Sequence, residues 1–497
     1  MTHAPRTWPS LVKEARALLP TFVAIAAALV AATLLDVRAA ALIMMVFAWG
    51  VVMLGAQSIG HEYSNRTLSL LLAQPCSRSG ILARKAIVLI PLVVALTLLT
   101  ALCLPGEGLQ PLRQSGLPQT MLVLAAICAV SLAPLLSMLG RGTLAGTVFA
   151  IGIPGLVELI AEYSGTAIYG FNAAAPVFAF KLSLVRSSMF CICAAAAIGT
   201  WWQFSRLEGV EGHQPLQLPS LLGRGRTAAA GKVSRQNPFV ALIRKELHLQ
   251  QISLVVVSLY VLVWLALWVV QHQAPEAPRV PLSPLTLMYL ALLSMLIGSV
   301  ASAEERQLGT LPSQLLLPIA AWKQWAIKAA IAIALAILLA TALPQLLYTG
   351  LPLADDQLPP RLVRELLIAV VMLTAISLYV SSLCATAVRA MVASIPAALL
   401  SRIYTAFVAN VVINVVFQAA FLEAGRRSLP RSQIERIQAA SSYAMLFAAT
   451  AVVILMLRFA FLNHRSGEQR IGVIVAQAAI LIAVATIFLA APVLVWR

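Results

Sequence analysis

Charge is what this chain has least of. Only 11% of its 497 residues are Asp, Glu, Lys or Arg, where a soluble globular domain carries about 25%. With 61% of residues hydrophobic, the bilayer rather than water must be the solvent. Acidic residues are scarcer still, 18 against 35 basic ones. The basic residues fall in short segments between apolar runs, the pattern of the positive-inside rule and of anionic headgroups, so no nucleic-acid partner is expected. Six cysteines and six scattered histidines support neither a disulfide framework nor a metal site. Cys191 and Cys193 stand two residues apart, which on a helix points them about 200° apart and makes no ligand pair. A phosphate-binding loop is also missing. Gly231-Lys232 could end one, but Arg226 stands where the earlier glycine belongs and Val233 replaces the Ser or Thr. No soluble stretch is long enough for an ATPase domain. No catalytic residue, metal ligand or cofactor is therefore assigned to this chain.

What the chain does have is a succession of apolar runs. Arg6, Lys13 and Arg16 precede the first, which lacks a convincing small-residue cleavage site, so it is read as a retained span rather than a signal peptide. Spans are expected near 17–35, 39–60, 86–104, 118–140, 143–161 and 186–204. A second set is expected near 252–271, 284–303, 329–348, 362–384, 390–410 and 441–461, and 471–496 is long enough for one more. The expected fold is an all-α polytopic membrane protein of two parallel six-span repeats, about 12 spans, plus an extra C-terminal span. The units are a first half over 1–206, a basic Gly/Pro-rich linker over 207–236, a second half over 237–465 and the extra segment over 471–497.

Arg66, Arg78, Arg84, Lys85, Arg141 and Arg206 fall on the same side as the N-terminus, which puts that side in the cytosol. Arg426, Arg427, Arg431 and Arg436 resist the scheme, because the repeat places them outside. A re-entrant hairpin over 390–422 would bring them inside. The repeat is preferred, since 162–185 form a long external excursion at the matching place. Asn237-Pro238 opens a helix with a cap and a proline at its first position. Phe239, Leu242, Ile243 and Leu247 line one face of it, as expected of a helix lying on the membrane surface. The stretch 10–19 plays the same part in the first half, with Lys13-Glu14 matching Lys245-Glu246.

One short loop is written twice. Glu62, Thr67, Leu68, Leu72, Pro75 and Lys85 recur as Glu305, Thr310, Leu311, Leu315, Pro318 and Lys328, each 243 residues on (305 − 62 = 328 − 85 = 243). Each copy follows one apolar run and precedes another. The threonine can cap a short apolar helix, over 67–74 and 310–317, and the proline ends it. Basic residues then anchor the chain at the headgroups. A short apolar helix below the membrane, twice and in equivalent positions, calls for a cover, and a cytosolic partner with two equivalent grooves supplies one.

These residues, with Ser77-Arg78 and Arg84-Lys85 in the first copy, resemble the loop after the second span in type-two permeases of ATP-binding-cassette exporters. The resemblance covers the chain twice, except the linker and the stretch after about 470. It departs at Arg66, where the second copy has Gly309, and at Ala320-Ala321, which replace Ser77-Arg78. It implies an amphipathic lead-in helix and six spans per half, with short external or re-entrant helices between the fifth and sixth. The repeated loop is then the coupling helix that docks on a separate cytosolic ATPase, of which two copies are expected. ATP belongs to that partner, and lipid is the other partner. Glu62 and Glu305 become polar anchors that cap the helix start or pair with a basic residue of the ATPase.

The resemblance also places a substrate pathway between the second and fifth spans of each half. Polar residues inside spans are costly, which nominates Gln57, Glu158, Arg402, Asn410 and Asn414. The competing reading keeps Glu158 at the external interface and lets Arg402 snorkel. An ion-coupled secondary transporter of two six-span halves is the alternative function, disfavoured by the scarcity of acids within spans. A non-transporting membrane scaffold is another. Arg in excess of Lys and an Ala-rich chain point to a bacterial inner membrane.

Overall fold

A computed structural model of the chain describes residues 7–33, 40–64, 67–74, 76–104, 117–140, 142–169, 174–206, 238–273, 282–309, 319–350, 360–424, 431–466 and 471–496. The linker over 207–236 lies outside them, as do Pro75, Arg141, Arg426, Arg427 and the residues 310–318. The described residues are almost all helical, with no strand among them.

The first half comprises α1 (Thr7–Thr33), α2 (Ala40–Ser64), the short α3 (Leu68–Leu72), α4 (Arg78–Cys103), α5 (Leu117–Leu139), α6 (Thr143–Tyr169) and α7 (Ala174–Arg206). The second comprises α8 (Pro238–Leu249), α9 (Gln251–Gln273), α10 (Leu282–Leu308), α11 (Ala321–Gly350), α12 (Pro360–Leu383), α13 (Ala387–Ala424) and α14 (Arg431–Ser466). A last helix, α15 (Ile471–Trp496), has no counterpart in the first half. Twelve of the described helices are long and apolar enough to cross a membrane, and α6 adds a shorter apolar stretch, Thr143–Gly155. The chain is an all-α integral membrane protein.

The two halves pack alike. α2 lies along α5 as α10 lies along α12, and α5 meets α7 as α12 meets α14. α2 and α10 are the most buried spans of their halves. Glycine explains the closeness of both central pairs. A Cβ on Gly55 would overlap the Ala129 carbonyl, and one on Gly298, 243 residues on, would lie 2.7 Å from Ser377 Cβ and 2.8 Å from Thr374 O. Without a hydrophobic driving force between helices in lipid, such small-residue contacts supply the van der Waals attraction. The halves meet reciprocally: α1 packs on α13, and α9 touches α6. Outward faces stay apolar, with Leu102, Ile198, Phe407 and Ile471 all strongly exposed.

Residues 162–185 continue as helix through most of their length, in α6 and α7. Residues 390–422 lie in a single helix, so the re-entrant hairpin set aside in favour of the repeat is not formed. Short separate helices between the fifth and sixth spans are likewise not seen among the described residues, because the long α6–α7 and α13–α14 pairs take their place. In α11 the ladder shifts to a π-turn over Ile337–Ala342, where Tyr289 donates its hydroxyl to Leu339 O at 2.8 Å. A side chain inserted into the ladder is an ordinary cause of such a shift.

Candidate functional site

Where the glutamate and lysine that flank each copy of the repeated loop stand, three elements of each half converge and the structure buries charge. In the first half Lys85, about two turns into α4, is 3% exposed. Its Nζ lies 2.9 Å from Glu14 Oε2 on α1, 3.2 Å from Glu62 Oε1 at the end of α2 and 3.1 Å from Ser58 O. Lys13 Nζ stands 3.6 Å from Glu62, and His61 Nε2 3.2 Å from it. In the second half Lys328 Nζ lies 2.9 and 2.8 Å from the two oxygens of Glu246 on α8, 3.0 Å from Glu305 Oε1 and 2.7 Å from Ala301 O. Lys245 Nζ reaches Glu305 at 2.6 Å. The carbonyl acceptors repeat too, since 301 − 58 is again 243.

Each network ties the entry segment of its half (the start of α1, which runs unbroken into the first span, or the separate α8), the end of one span and the start of the next to a single ammonium. Pairing answers the cost of burying these charges. Burial still pushes the Glu246 carboxyl above its ordinary range, with the Lys328 ammonium the largest pull against that shift. Glu14, His61 and Glu62 hold ligand atoms within 4.8 Å of one another, a spacing a metal ion could use. Lys85 already stands between the two carboxylates, so the cation at this place is the protein's own.

The expectation of lysines anchored at headgroups is thus corrected. Lys85 and Lys328 turn inward onto carboxylates from 71 and 82 residues away. Glu62 and Glu305 pair with lysines of their own chain. Glu62 also accepts from the Thr67 hydroxyl, while Thr67 N donates to Glu62 O at 3.0 Å, so α3 is strapped to the end of α2. Leu71 is the buried residue of α3, clustered with Ile59, Ile81, Met138 and Phe204. Leu68 packs against that cluster, Leu72 is half-buried, and Leu70 is 70% exposed. The outward apolar residue of this helix is therefore Leu70, which the sequence reading passed over. Pro75, Thr310, Leu311, Leu315 and Pro318 lie outside the described residues. At the second copy α10 ends on Gly309 with φ 68°, the left-handed cap that glycine adopts without strain.

In α8 the expected apolar face is split: Leu242 is buried together with Glu246, while Phe239, Ile243 and Leu247 stay open on the outside.

The pathway candidates are not brought together. Gln57 is buried, accepts from the Thr21 hydroxyl and donates to Ala17 O at 3.4 Å, so it fastens α2 to α1. Glu158 is open to the outside and pairs with Lys181 of α7 at 3.5 Å. Arg402 and Asn410 lie on exposed positions of α13, and the Asn414 side chain is outside the described residues.

Among the cysteines, Cys128 and Cys193 touch across α5 and α7, their sulfurs 3.6 Å apart and both thiols free. Cys384, in the turn between α12 and α13, has its thiol pushed up to about 11 by burial, which leaves it inert at neutral pH.

Comparison of the chain with known protein families, with curated proteins and with solved structures finds no match in any of the three.

Proposed function

We propose that the chain is the transmembrane permease subunit of an ATP-driven exporter of the ATP-binding-cassette class, seated in a bacterial inner membrane with its N-terminus in the cytosol. A separate cytosolic ATPase, in two copies, hydrolyses the ATP. The observation that carries this reading is the doubled network of Lys85 with Glu14 and Glu62, and of Lys328 with Glu246 and Glu305. A device for receiving force from outside the membrane needs a rigid link between the loop that is pushed and the spans that move. Each network is such a link. It joins the lead-in helix to the span before the repeated loop and to the span after it, once per half.

In this reading α3 is a coupling helix, and the second copy of the loop motif, after Gly309, has the same role. Movement of α3 passes through Thr67 and Glu62 into α2, and through Lys85 into α4 and α1. The reciprocal packing of α1 on α13 and α9 on α6 carries that movement to the seam between halves.

The test is co-expression with the ATPase encoded beside the chain, gentle solubilisation and affinity purification. A complex is expected whose ATPase rate in lipid discs exceeds that of the ATPase alone. Recovery of the chain free of any nucleotide-hydrolysing subunit would sink the reading, and transport driven by an ion gradient without ATP would favour the secondary-transporter alternative.

A further inference from the structure

A cationic corner stands in the first half where α4 meets α7. Arg78, the first residue of α4, donates through Nη1 to Ser205 O in the last turn of α7 at 2.7 Å. The neighbouring Arg206 lays its guanidinium over the Trp202 ring, 4.2 Å from the centroid. Two arginines thus stand where α4 meets α7, one bonded to the Ser205 carbonyl and the other the next residue along. Among the described residues no carboxylate lies within ion-pairing distance of either. A guanidinium has five N–H donors, and the one bond described for Arg78 leaves most of them available. Trp201 and Trp202 are 56% and 51% exposed at the end of the apolar span Phe178–Arg206, the place where aromatic residues sit at headgroup level.

We infer that Arg78, Arg206 and Trp202 form a binding site for the phosphodiester headgroup of an anionic phospholipid. Planar guanidiniums match phosphate oxygens in pairs. The exposed indoles of Trp201 and Trp202 add apolar cover for the first carbons of an acyl chain, which a free phosphate ion lacks, so the occupant is lipid. The site belongs to one half. Position 321, the equivalent of 78, is Ala321, and the nearby Lys323 stands 5.7 Å over Trp322 instead. The corner also abuts the short helix, because Phe204, two residues before Arg206, is buried against Leu71. A bound lipid would brace α7 beneath α3. That consequence rests on the coupling function proposed above, whereas the binding itself does not.

The protein is purified in mild detergent, mixed with phosphatidylglycerol or phosphatidylethanolamine, and its bound lipids are counted by native mass spectrometry. Phosphatidylglycerol is expected to be retained in clear preference. Arg78→Gln and Arg206→Gln should each weaken its retention about fivefold, while Lys323→Gln, which removes a charge at the matching corner of the second half, should leave it unchanged. Arg78→Lys, which keeps the charge and loses the paired geometry, should weaken it less than Arg78→Gln. Inorganic phosphate should not displace the lipid. Equal retention of the two lipids, an equal loss in Lys323→Gln, or displacement by inorganic phosphate would each overturn the site. If phosphatidylglycerol binds as stated yet leaves the ATPase rate of the complex unaltered, the binding site stands and the coupling reading loses support.

Discussion

Lys328 and Glu246 face each other across 82 residues of sequence, with the ammonium 2.9 and 2.8 Å from the two carboxylate oxygens. Glu305 Oε1 completes the site at 3.0 Å. Buried ion pairs are weak sources of stability, because desolvation offsets much of the Coulombic gain. Their effect is positional: each charge can be buried only where its partner is, so the lead-in helix, α10 and α11 share one register. The same arrangement around Lys85 gives the first half an equivalent fulcrum. In an apolar bundle whose outer faces could slide on lipid, two such fixed points define what moves with what.

Removing the lysine alone should be severe. Lys328→Met leaves Glu246 and Glu305 buried with Lys245 as their remaining lysine, and breaking a buried pair costs about 3–5 kcal/mol. A marked fall in the midpoint of heat-induced loss of folded, detergent-purified protein is expected. Combining Lys328→Met with Glu246→Gln and Glu305→Gln removes the stranded charges and should recover most of the loss. A single variant as stable as the parent would mean that water reaches the network.

The glycines of the central helix pairs give a second expectation. A methyl at position 55 meets a backbone carbonyl, Ala129 O, whereas at 298 one of the close atoms is a serine Cβ. Overpacking costs about 1–3 kcal/mol where the core cannot yield. Gly55→Ala should fall at or above the top of that range and Gly298→Ala lower, as read from thermal midpoints of the two purified variants. The reverse order would show that α2 and α5 separate more readily than α10 and α12.

The spans were legible because lipid leaves the backbone little choice: an apolar run of sufficient length must satisfy its own hydrogen bonds as helix. Hence 118–140 becomes Leu117–Leu139, and 471–496 becomes Ile471–Trp496. In the stretch 162–185 helix continues from both sides, and Glu158 and Lys181 pair between α6 and α7. Lys85 and Lys328 misled. A lysine at a span edge commonly snorkels, and sequence does not show that a carboxylate waits in the fold. The repeat itself hides the partner. Glu62 and Glu305 are 243 residues apart, but Glu14 and Glu246 are 232 apart (246 − 14), so no single offset aligns the whole network. The five residues of α3 are too few for periodicity to say which leucine faces inward.

The last helix is fixed by polar contacts inside an otherwise apolar surface. Gln477 of α15 accepts from Tyr379 at 3.0 Å and exchanges bonds with Asn463 at 3.1 and 2.9 Å. Side-chain hydrogen bonds between spans average about 0.6 kcal/mol and reach about 1.7. Gln477→Leu should cost within that range and loosen α15 first, seen as faster proteolysis of the C-terminal segment in detergent. Ile471→Ala, at a position 80% exposed, should change neither by more than about 0.5 kcal/mol equivalent. Unchanged proteolysis in Gln477→Leu would assign the docking of α15 to apolar contact alone.

Two adjacent leucines of α3 should separate folding from coupling. Leu71 is 4% exposed among residues from four other helices, while Leu70 is 70% exposed. Leu71→Ala removes packing, and truncations of this kind cost about 2–5 kcal/mol. Leu70→Glu, at this exposed position, should alter stability by no more than about 0.5 kcal/mol. If α3 is a coupling helix, Leu70→Glu should nonetheless release the ATPase on purification, or leave it bound and hydrolysing without export. Leu72→Gln combined with Leu315→Gln should do the same through both copies of the loop. The readouts are the ATPase retained per permease, the ATPase rate and export in sealed vesicles, with thermal midpoints measured in parallel. Full retention and normal export in Leu70→Glu and in the Leu72/Leu315 double variant, all at parental stability, would reduce the repeated loop to a topological signal. The doubled lysine networks would then serve to hold the fold together rather than to transmit force.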